Sequence, residues 1–422
     1  MVGSTVREEI EELDNKKIKQ FIEETNTCIR QYKYLYRKLL EEKTIRNAWR
    51  NLRKGKTKRT AVKKVEANFD NEVRMMIERF RNTKPEGCEV EHPELAYEPP
   101  KIRRTKIVNE YGKKRKAYLA DIREQWYFHC IVEVLKPIIL KHLDKGVCGC
   151  VPKRGPHSGK QMIERTIRDG KKVRNFIKCD VRHFYDNLHI DIILNEMRTY
   201  IADELFLYCI RKIYKYVNKG IMIGLYISPW LANFALMRLD HMISKNKDVA
   251  YWRYVDDIVV FCANKKTLRQ LLVDIRKTLG KLRLRLKRNF QICRFDYETK
   301  KIRHTKSGRP YRLRIGRPLD FMGFVFYRDR TVMRKRIMID AVRCAKKLKK
   351  AKDQGRRFYG KLTRAFMSRL GWFTATDSYN CYLKYIKPII EVRKIKHIIS
   401  KQDKEGNKHD RLEERNIIAA AA

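Results

Sequence analysis

Tyr251-Trp252-Arg253-Tyr254, Val255-Asp256-Asp257 and Ile258-Val259-Val260-Phe261 read as a strand, a turn carrying two acids, and a second strand. The aromatic and β-branched residues on both sides favour strands over helix. Two neighbouring carboxylates in such apolar company are costly to bury unless something cationic neutralises them. A pair of Mg²⁺ ions would do so, and ions held there could drive attack on a phosphate.

Working outward, Ile177-Lys178-Cys179-Asp180-Val181 is strand-like and ends in a third carboxylate. Phosphoryl transfer at a nucleotide needs ions held by carboxylates from separate strands, and two or three such side chains suffice for Mg²⁺. Asp180 on one strand and Asp256 with Asp257 in a hairpin turn are the right residue types on the right elements. An Asp-Asp turn alone is common, so the neighbouring segments must decide.

Helical spacing recurs at Ile10, Leu13, Ile18, Phe21 and Ile22, and again at Val73, Met76, Ile77 and Phe80. Prolines at 85, 93, 99 and 100 break the pattern across an acidic stretch, read as an irregular surface segment. Strands are expected at Ile102–Val108 and Lys116–Ala120, with a turn at Asn109–Gly112. Asp121 to Leu135 reads as a helix that Pro137 ends or kinks. Thr267 to Leu279 is an amphipathic helix with Gly280 as its cap, and Leu282, Leu284 and Leu286 alternate with basic residues as in a half-exposed strand. Strands interleave with helices and no internal repeat occurs, so the class is α+β.

The chain has 422 residues, with 98 Lys and Arg against 49 Asp and Glu, a net charge of +49. That excess, spread from Lys16 to Lys408, calls for a long polyanion, nucleic acid before an anionic membrane surface. Arg50, Arg53, Lys54, Lys56, Lys58 and Arg59 form one run that is either a solvated helix end or a contact to an RNA backbone. Eleven scattered cysteines read as reduced thiols of a cytoplasmic protein, and the Cys148/Cys150 pair lacks the second pair that zinc requires. The first residues have no signal-peptide pattern, and Ile221 to Met237 reads as a buried loop and helix, not a membrane span.

Four blocks then agree in order and distance. They are Asp180 to Leu188, Gly224-Leu225-Tyr226-Ile227-Ser228-Pro229, Tyr254-Val255-Asp256-Asp257, and Phe321-Met322-Gly323-Phe324. Together they resemble the signature blocks of a reverse transcriptase over about residues 45 to 390, most closely the bacterial retron, diversity-generating and defence-associated lineages. Gly149 to His157 resembles their second fingers block, and Tyr379 to Lys384 the end of their helical thumb.

The resemblance implies a right-hand polymerase: a basic helical region at 1–83, fingers at 84–178, a palm with interleaved fingers helices at 179–332, a thumb at 333–400 and a basic tail at 401–422. It implies an RNA-directed DNA polymerase using two Mg²⁺ ions, dNTPs and a structured non-coding RNA template, with a DNA product and no membrane. Asp180, Asp256 and Asp257 would hold the metals, helped by the carbonyl of Val181. Tyr185 would be the steric gate against a ribose 2′-OH. Gly224, Ser228 and Pro229 would shape the loop under the incoming base. Arg115, Arg154 and Lys287 would lie near the nucleotide phosphates. Phe321, Met322, Gly323 and Phe324 would form the primer grip.

The departures are Ile223, where many relatives carry Gln, Pro229 after the serine, and Val151, where Arg is frequent. They leave the fourth block mixed between lineages. No nuclease block follows the thumb, which argues against a mobile intron enzyme with its own DNA cutter. The mixed fourth block, the helical N-terminal extension and the high charge favour a defence-associated enzyme before the diversity-generating and retron types. A non-catalytic RNA-binding protein on the same scaffold is the reading from a different class, and the three retained aspartates argue against it.

Overall fold

The computed structural model describes residues 31–110, 113–305, 307–354, 360–397 and 399–400. The expected helix through Ile10 to Ile22, two residues of the turn expected at 109–112, and the tail beyond 400 lie outside them.

In chain order the helices are α1 (Leu35–Leu39), α2 (Glu42–Arg53), α3 (Thr60–Glu66), α4 (Phe69–Arg81), α5 (Ile122–His142), α6 (Pro156–Asp169), α7 (Phe184–Asn187), α8 (Ile190–Arg198), α9 (Glu204–Ile213), α10 (Ser228–Ala235), α11 (Met237–Ser244), α12 (Lys265–Lys281), α13 (Lys335–Asp353), α14 (Gly360–Thr374) and α15 (Tyr379–Tyr385). The strands are β1 (Thr105–Glu110), β2 (Lys113–Tyr118), β3 (Asn175–Asp180), β4 (Val249–Tyr254), β5 (Asp257–Cys262), β6 (Gln291–Arg294), β7 (Tyr297–His304), β8 (Pro310–Ile315), β9 (Leu319–Phe321), β10 (Phe324–Phe326) and β11 (Thr331–Met333). With 50% helix and 17% strand, the fold is the expected α+β mixture.

The chain divides into two compact units that interleave along the sequence. One comprises Met1–Cys150, Asp180–Asn246 and Leu271–Arg288, and the other Val151–Cys179, Lys247–Gln270 and Asn289–Ala422.

The first unit is organised by α5, which is apolar on most of its circumference. Asp121 caps it by accepting from the Glu124 N–H at 2.8 Å. Pro137 does not end the helix, which runs on to His142. Ile45, Ala48, Trp49 and Leu52 repeat at helical spacing on α2 and are all buried. Trp49 packs on Trp126 of α5 with ring centroids 4.8 Å apart, and the Trp126 indole N–H donates to the Ile45 carbonyl at 3.0 Å. Beside them Tyr127 is stacked between Phe80, at 4.4 Å, and Tyr97, at 4.1 Å. The proline-broken acidic stretch holds only a single turn of 3-10 helix, Pro93–Leu95. Its Glu98 resists burial but is drawn down to a pKa of about 2 by hydrogen bonds from Lys212, Lys215 and Tyr216.

The second unit contains a four-stranded sheet of order β4-β5-β3-β6, a three-stranded sheet of order β11-β10-β9, and the β7-β8 hairpin. Its helices α13 and α14 share a core with the segment after α15, in which Leu348, Phe366 and Ile386 are fully buried.

Two expectations need correction. Helix α12 continues through Gly280 to Lys281, and it is Arg283, at φ 56°, that adopts the left-handed turn after it. Residues 282–286 are not a strand: they alternate in burial as the pattern implies, but only Leu286 makes a bridge, to Val181. Residues 282 and 283 form the turn after α12, and only the short piece around Leu286 pairs, with the chain at Val181.

Trp126 is fully buried and joins α2 to α5 through both its ring and its indole N–H. Trp126→Ala should cost about 3–5 kcal/mol of stability, read as a lower denaturant midpoint.

Candidate active site

In the β4-β5 hairpin Tyr254 pairs with Asp257, leaving Val255 and Asp256 as a two-residue loop. Asp257 is thus the first residue of β5 and not part of the turn. Val255 has φ +58° and Asp256 does not share that sign. Such a turn ordinarily places glycine first, and a β-branched residue there stores on the order of 1–3 kcal/mol of strain. Arg253, fully buried in β4, donates from Nη1 to the Val255 carbonyl at 2.9 Å and holds the turn in this shape. Both aspartates remain partly exposed at the tip. Nothing in the sequence reading singled out Arg253; its signal was a cation inside an otherwise apolar strand.

Asp180 closes β3, the neighbour of β5 in the sheet. Its carbonyl accepts from Lys287 N at 2.8 Å, and the Arg182 N–H donates to the Arg285 carbonyl at 2.8 Å. These two bonds flank the Val181–Leu286 bridge and do not use the Val181 carbonyl. The Lys287 ammonium contacts Asp180 Oδ2, while Asp180 Oδ1 is buried with no hydrogen-bond partner. The lysine expected near phosphates is therefore the cation that faces this carboxylate. Among the described residues no three Asp, Glu, His or Cys already stand together as a metal-binding group. The donor set nonetheless fits a hard cation: carboxylate oxygens, one of them buried and unsatisfied, are what Mg²⁺ takes.

Tyr185 sits in α7, its carbonyl accepting from Ile221 N at 2.8 Å, and it is half-buried. Gly224 (φ +106°) lies so close to the Tyr118 backbone that a Cβ would strike it, and the Tyr118 N–H donates to the Ile223 carbonyl at 2.7 Å. That approach ties the loop before α10 to β2. Ser228 is fully buried and faces inward: its hydroxyl donates to the Met222 carbonyl at 2.6 Å and meets the Tyr214 hydroxyl at 3.0 Å. Pro229 fixes the first turn of α10. Between Gly224 and Ser228, Tyr226 is 37% exposed and lies flat on buried His129, ring centroids 3.5 Å apart. This pair was missed because its members are nearly a hundred positions apart.

The basic run begins in α2 and continues past it. Arg50, Lys54, Lys58 and Arg59 are exposed, Arg53 pairs with Glu66 at 2.7 Å, and Lys56 is half-buried. Lys56, after burial, contributes to the low His129 pKa. Arg115 lies on the exposed β2, opposite Val108. In the second unit, Arg154 closes a tight turn by donating its N–H to the Val151 carbonyl at 3.0 Å.

Also in the second unit, Met322 and Gly323 both have positive φ and form the β9-β10 turn. A Cβ at Gly323 would meet the Trp372 ring. Phe324 packs on Trp372 at 4.7 Å and on His157 at 5.6 Å, and the Arg334 N–H donates to the Gly323 carbonyl at 2.8 Å. The four hairpin residues Phe321 to Phe324 are thereby fastened to the start of α13 and to α14.

Residues 111–301 match the family model for reverse transcriptase (RNA-dependent DNA polymerase). This segment is a reverse transcriptase domain. The match encloses Asp180, Asp256 and Asp257. No curated protein matches the sequence. Among solved structures, apo telomerase from Candida Tropicalis is similar with 12% identity and a TM-score of 0.36, over 58% of this chain. The chain spans about half of that protein's length, 49%. Among the described residues no helix is long and apolar enough to cross a membrane.

Burial, reinforced by Lys56, lowers the His129 pKa from 6.5 to about 3, so the ring under Tyr226 is neutral. Between those values the unfolded chain binds a proton that the folded chain refuses. Stability is full above pH 6.5 and falls as pH drops through that window, by about 2 kcal/mol from pH 7 to pH 5. His129→Phe should remove that share, measured as urea midpoints at the two pH values.

Proposed function

We propose that this chain extends a 3′-hydroxyl along an RNA template with deoxynucleotides, using Asp180, Asp256 and Asp257 to hold two Mg²⁺ ions, with the Val181 carbonyl assisting. The observation that carries the reading is the family match across all three aspartates, two of them at a turn braced by a buried arginine. When bound, the ions would lower the pKa of the attacking hydroxyl and offset charge building on the phosphate.

The protein's own residues orient and select. The Arg253 brace keeps the paired carboxylates at a fixed projection before substrate arrives, so little reorganisation is needed at the moment of reaction. Lys287, in contact with Asp180 Oδ2, holds that carboxylate in place. Tyr185 sets its ring against the position of a 2′-oxygen and so selects deoxyribose. The Gly224 loop, held from below by Ser228, gives the base pair a flat floor. Arg115 and Arg154 take the triphosphate, and the Phe321–Phe324 hairpin holds the primer end.

For the template we propose a dedicated structured non-coding RNA, held by the exposed Arg50, Lys54, Lys58 and Arg59 among others. The net charge of +49 supports a polyanion of that length. The mixed fourth block and the basic helices before the domain support a bacterial defence role, with Mg²⁺ chemistry in the cytoplasm. Sequencing the nucleic acid that co-purifies with the protein separates this role from the diversity-generating and retron types.

Asp256→Asn with Asp257→Asn should abolish primer extension on RNA with Mg²⁺ and dNTPs while RNA binding persists. Extension surviving both changes would remove the mechanism and leave an RNA-binding scaffold. Tyr185→Ala should admit ribonucleotides, seen as alkali-labile product; unchanged sugar discrimination would withdraw the steric gate.

A further inference from the structure

The β7-β8 hairpin stands largely outside the family match, which ends at residue 301 within β7. Between Tyr297 and Ile315 the sequence has seven Lys and Arg against one acid, Glu298. Every described residue from 301 to 312 is exposed. A two-stranded hairpin with neither face covered is marginally stable in water, so its persistence needs a separate cause.

Its root supplies one. Asp296, only 3% exposed, accepts two bonds from the Arg314 guanidinium at 3.1 and 2.6 Å and one from the Arg328 N–H at 2.9 Å. Arg314 also reaches Asp329 at 2.7 Å, and hydrogen bonding to it draws Asp329 down to a pKa of about 2. Gly316 (φ +85°) lets the returning strand pass so near the Phe295 carbonyl that a Cβ would collide with it. The tip is also built: Gly308 N–H donates to the Thr305 carbonyl at 2.9 Å, and Arg309 N–H to the Thr305 hydroxyl at 3.0 Å.

Between root and tip the register sorts the side chains. Ile302 lies opposite Arg312, and Arg303 opposite Tyr311. Directly opposed residues share a face, so each face presents one arginine beside one exposed apolar or aromatic side chain. Ile302 is 62% exposed, Tyr311 44% and Tyr297 42%. Alternating guanidinium with an open ring suits a strand whose phosphates need cations and whose bases need a surface to stack on. Duplex RNA hides its base faces and offers a major groove that side chains cannot read.

We propose that the β7-β8 hairpin is a second nucleic-acid site, an arm that takes an unpaired segment of RNA: Arg303 and Arg312 on its phosphates, Tyr311 stacked on a base. The inference rests on the reading above that the enzyme carries an RNA, and adds an interface beyond the polymerising site.

The test uses full-length protein, wild type and Arg303→Ala/Tyr311→Ala/Arg312→Ala, with a labelled 20-nucleotide unpaired RNA and an RNA duplex of equal length. Anisotropy is read across a salt series. All three positions are exposed, so equal melting curves check that the variant is folded. The triple variant should lose roughly 10-fold or more in affinity for the unpaired strand, and its salt slope should fall by about 1.4, the share of two phosphate contacts. Tyr311→Phe should keep the affinity, since the ring is retained. Extension of a short, fully paired primer–template should be unchanged in the triple variant. Undiminished binding of the unpaired strand would overturn the proposal, as would an equal loss on the duplex, which would make the arm a general charge patch. A wild-type protein without polymerase activity whose unpaired-RNA binding still depended on these residues would sink the proposed function and support the arm.

Discussion

Like charges resist being placed side by side, and Asp256 and Asp257 are consecutive. The hairpin bends in two residues, Val255 accepts a backbone shape it disfavours, and a fully buried guanidinium grips the carbonyl at the bend. A buried arginine is itself costly unless its donors are satisfied. Here the strain at Val255 is borne to keep one turn in one shape.

The same economy of position recurs in the first unit. Asp180 has one oxygen facing Lys287 and the other buried without a partner. A lysine is a movable point charge on a flexible stem, so it can withdraw without leaving a void that a rigid group would. Gly224 and Gly323 solve a different problem. Each stands where another segment comes too close for any side chain, the Tyr118 backbone at one and the Trp372 ring at the other. In both cases a loop is fastened by contact to an element far away in sequence.

What could be read from sequence followed the range of the forces involved. The β4-β5 hairpin, the strand ending at Asp180 and α12 are local patterns of periodicity and turn chemistry, legible to within a few residues. Pro137 does not end α5, because its neighbours are buried on nearly every side and packing of that extent outweighs one missing backbone bond. Leu282, Leu284 and Leu286 misled because alternation in burial does not require a ladder. Arg253, the His129–Tyr226 stack and the Phe324–Trp372–His157 cluster depend on distant contacts, which no window of sequence displays. The ribbon of residues 297–315 was passed over because its charge merged into that of the whole chain.

The glycine in the loop before α10 has a consequence for how this sequence can drift. Ile223 contributes a backbone carbonyl to its bond with Tyr118, and Pro229 a helix-starting angle. Codons 223 and 229 can therefore change letters while the loop keeps its course. Codon 224 has no such latitude, because the smallest addition, one methyl group, would lever β2 away from the loop. The chemistry on either side of residue 224 can change while that one position stays glycine.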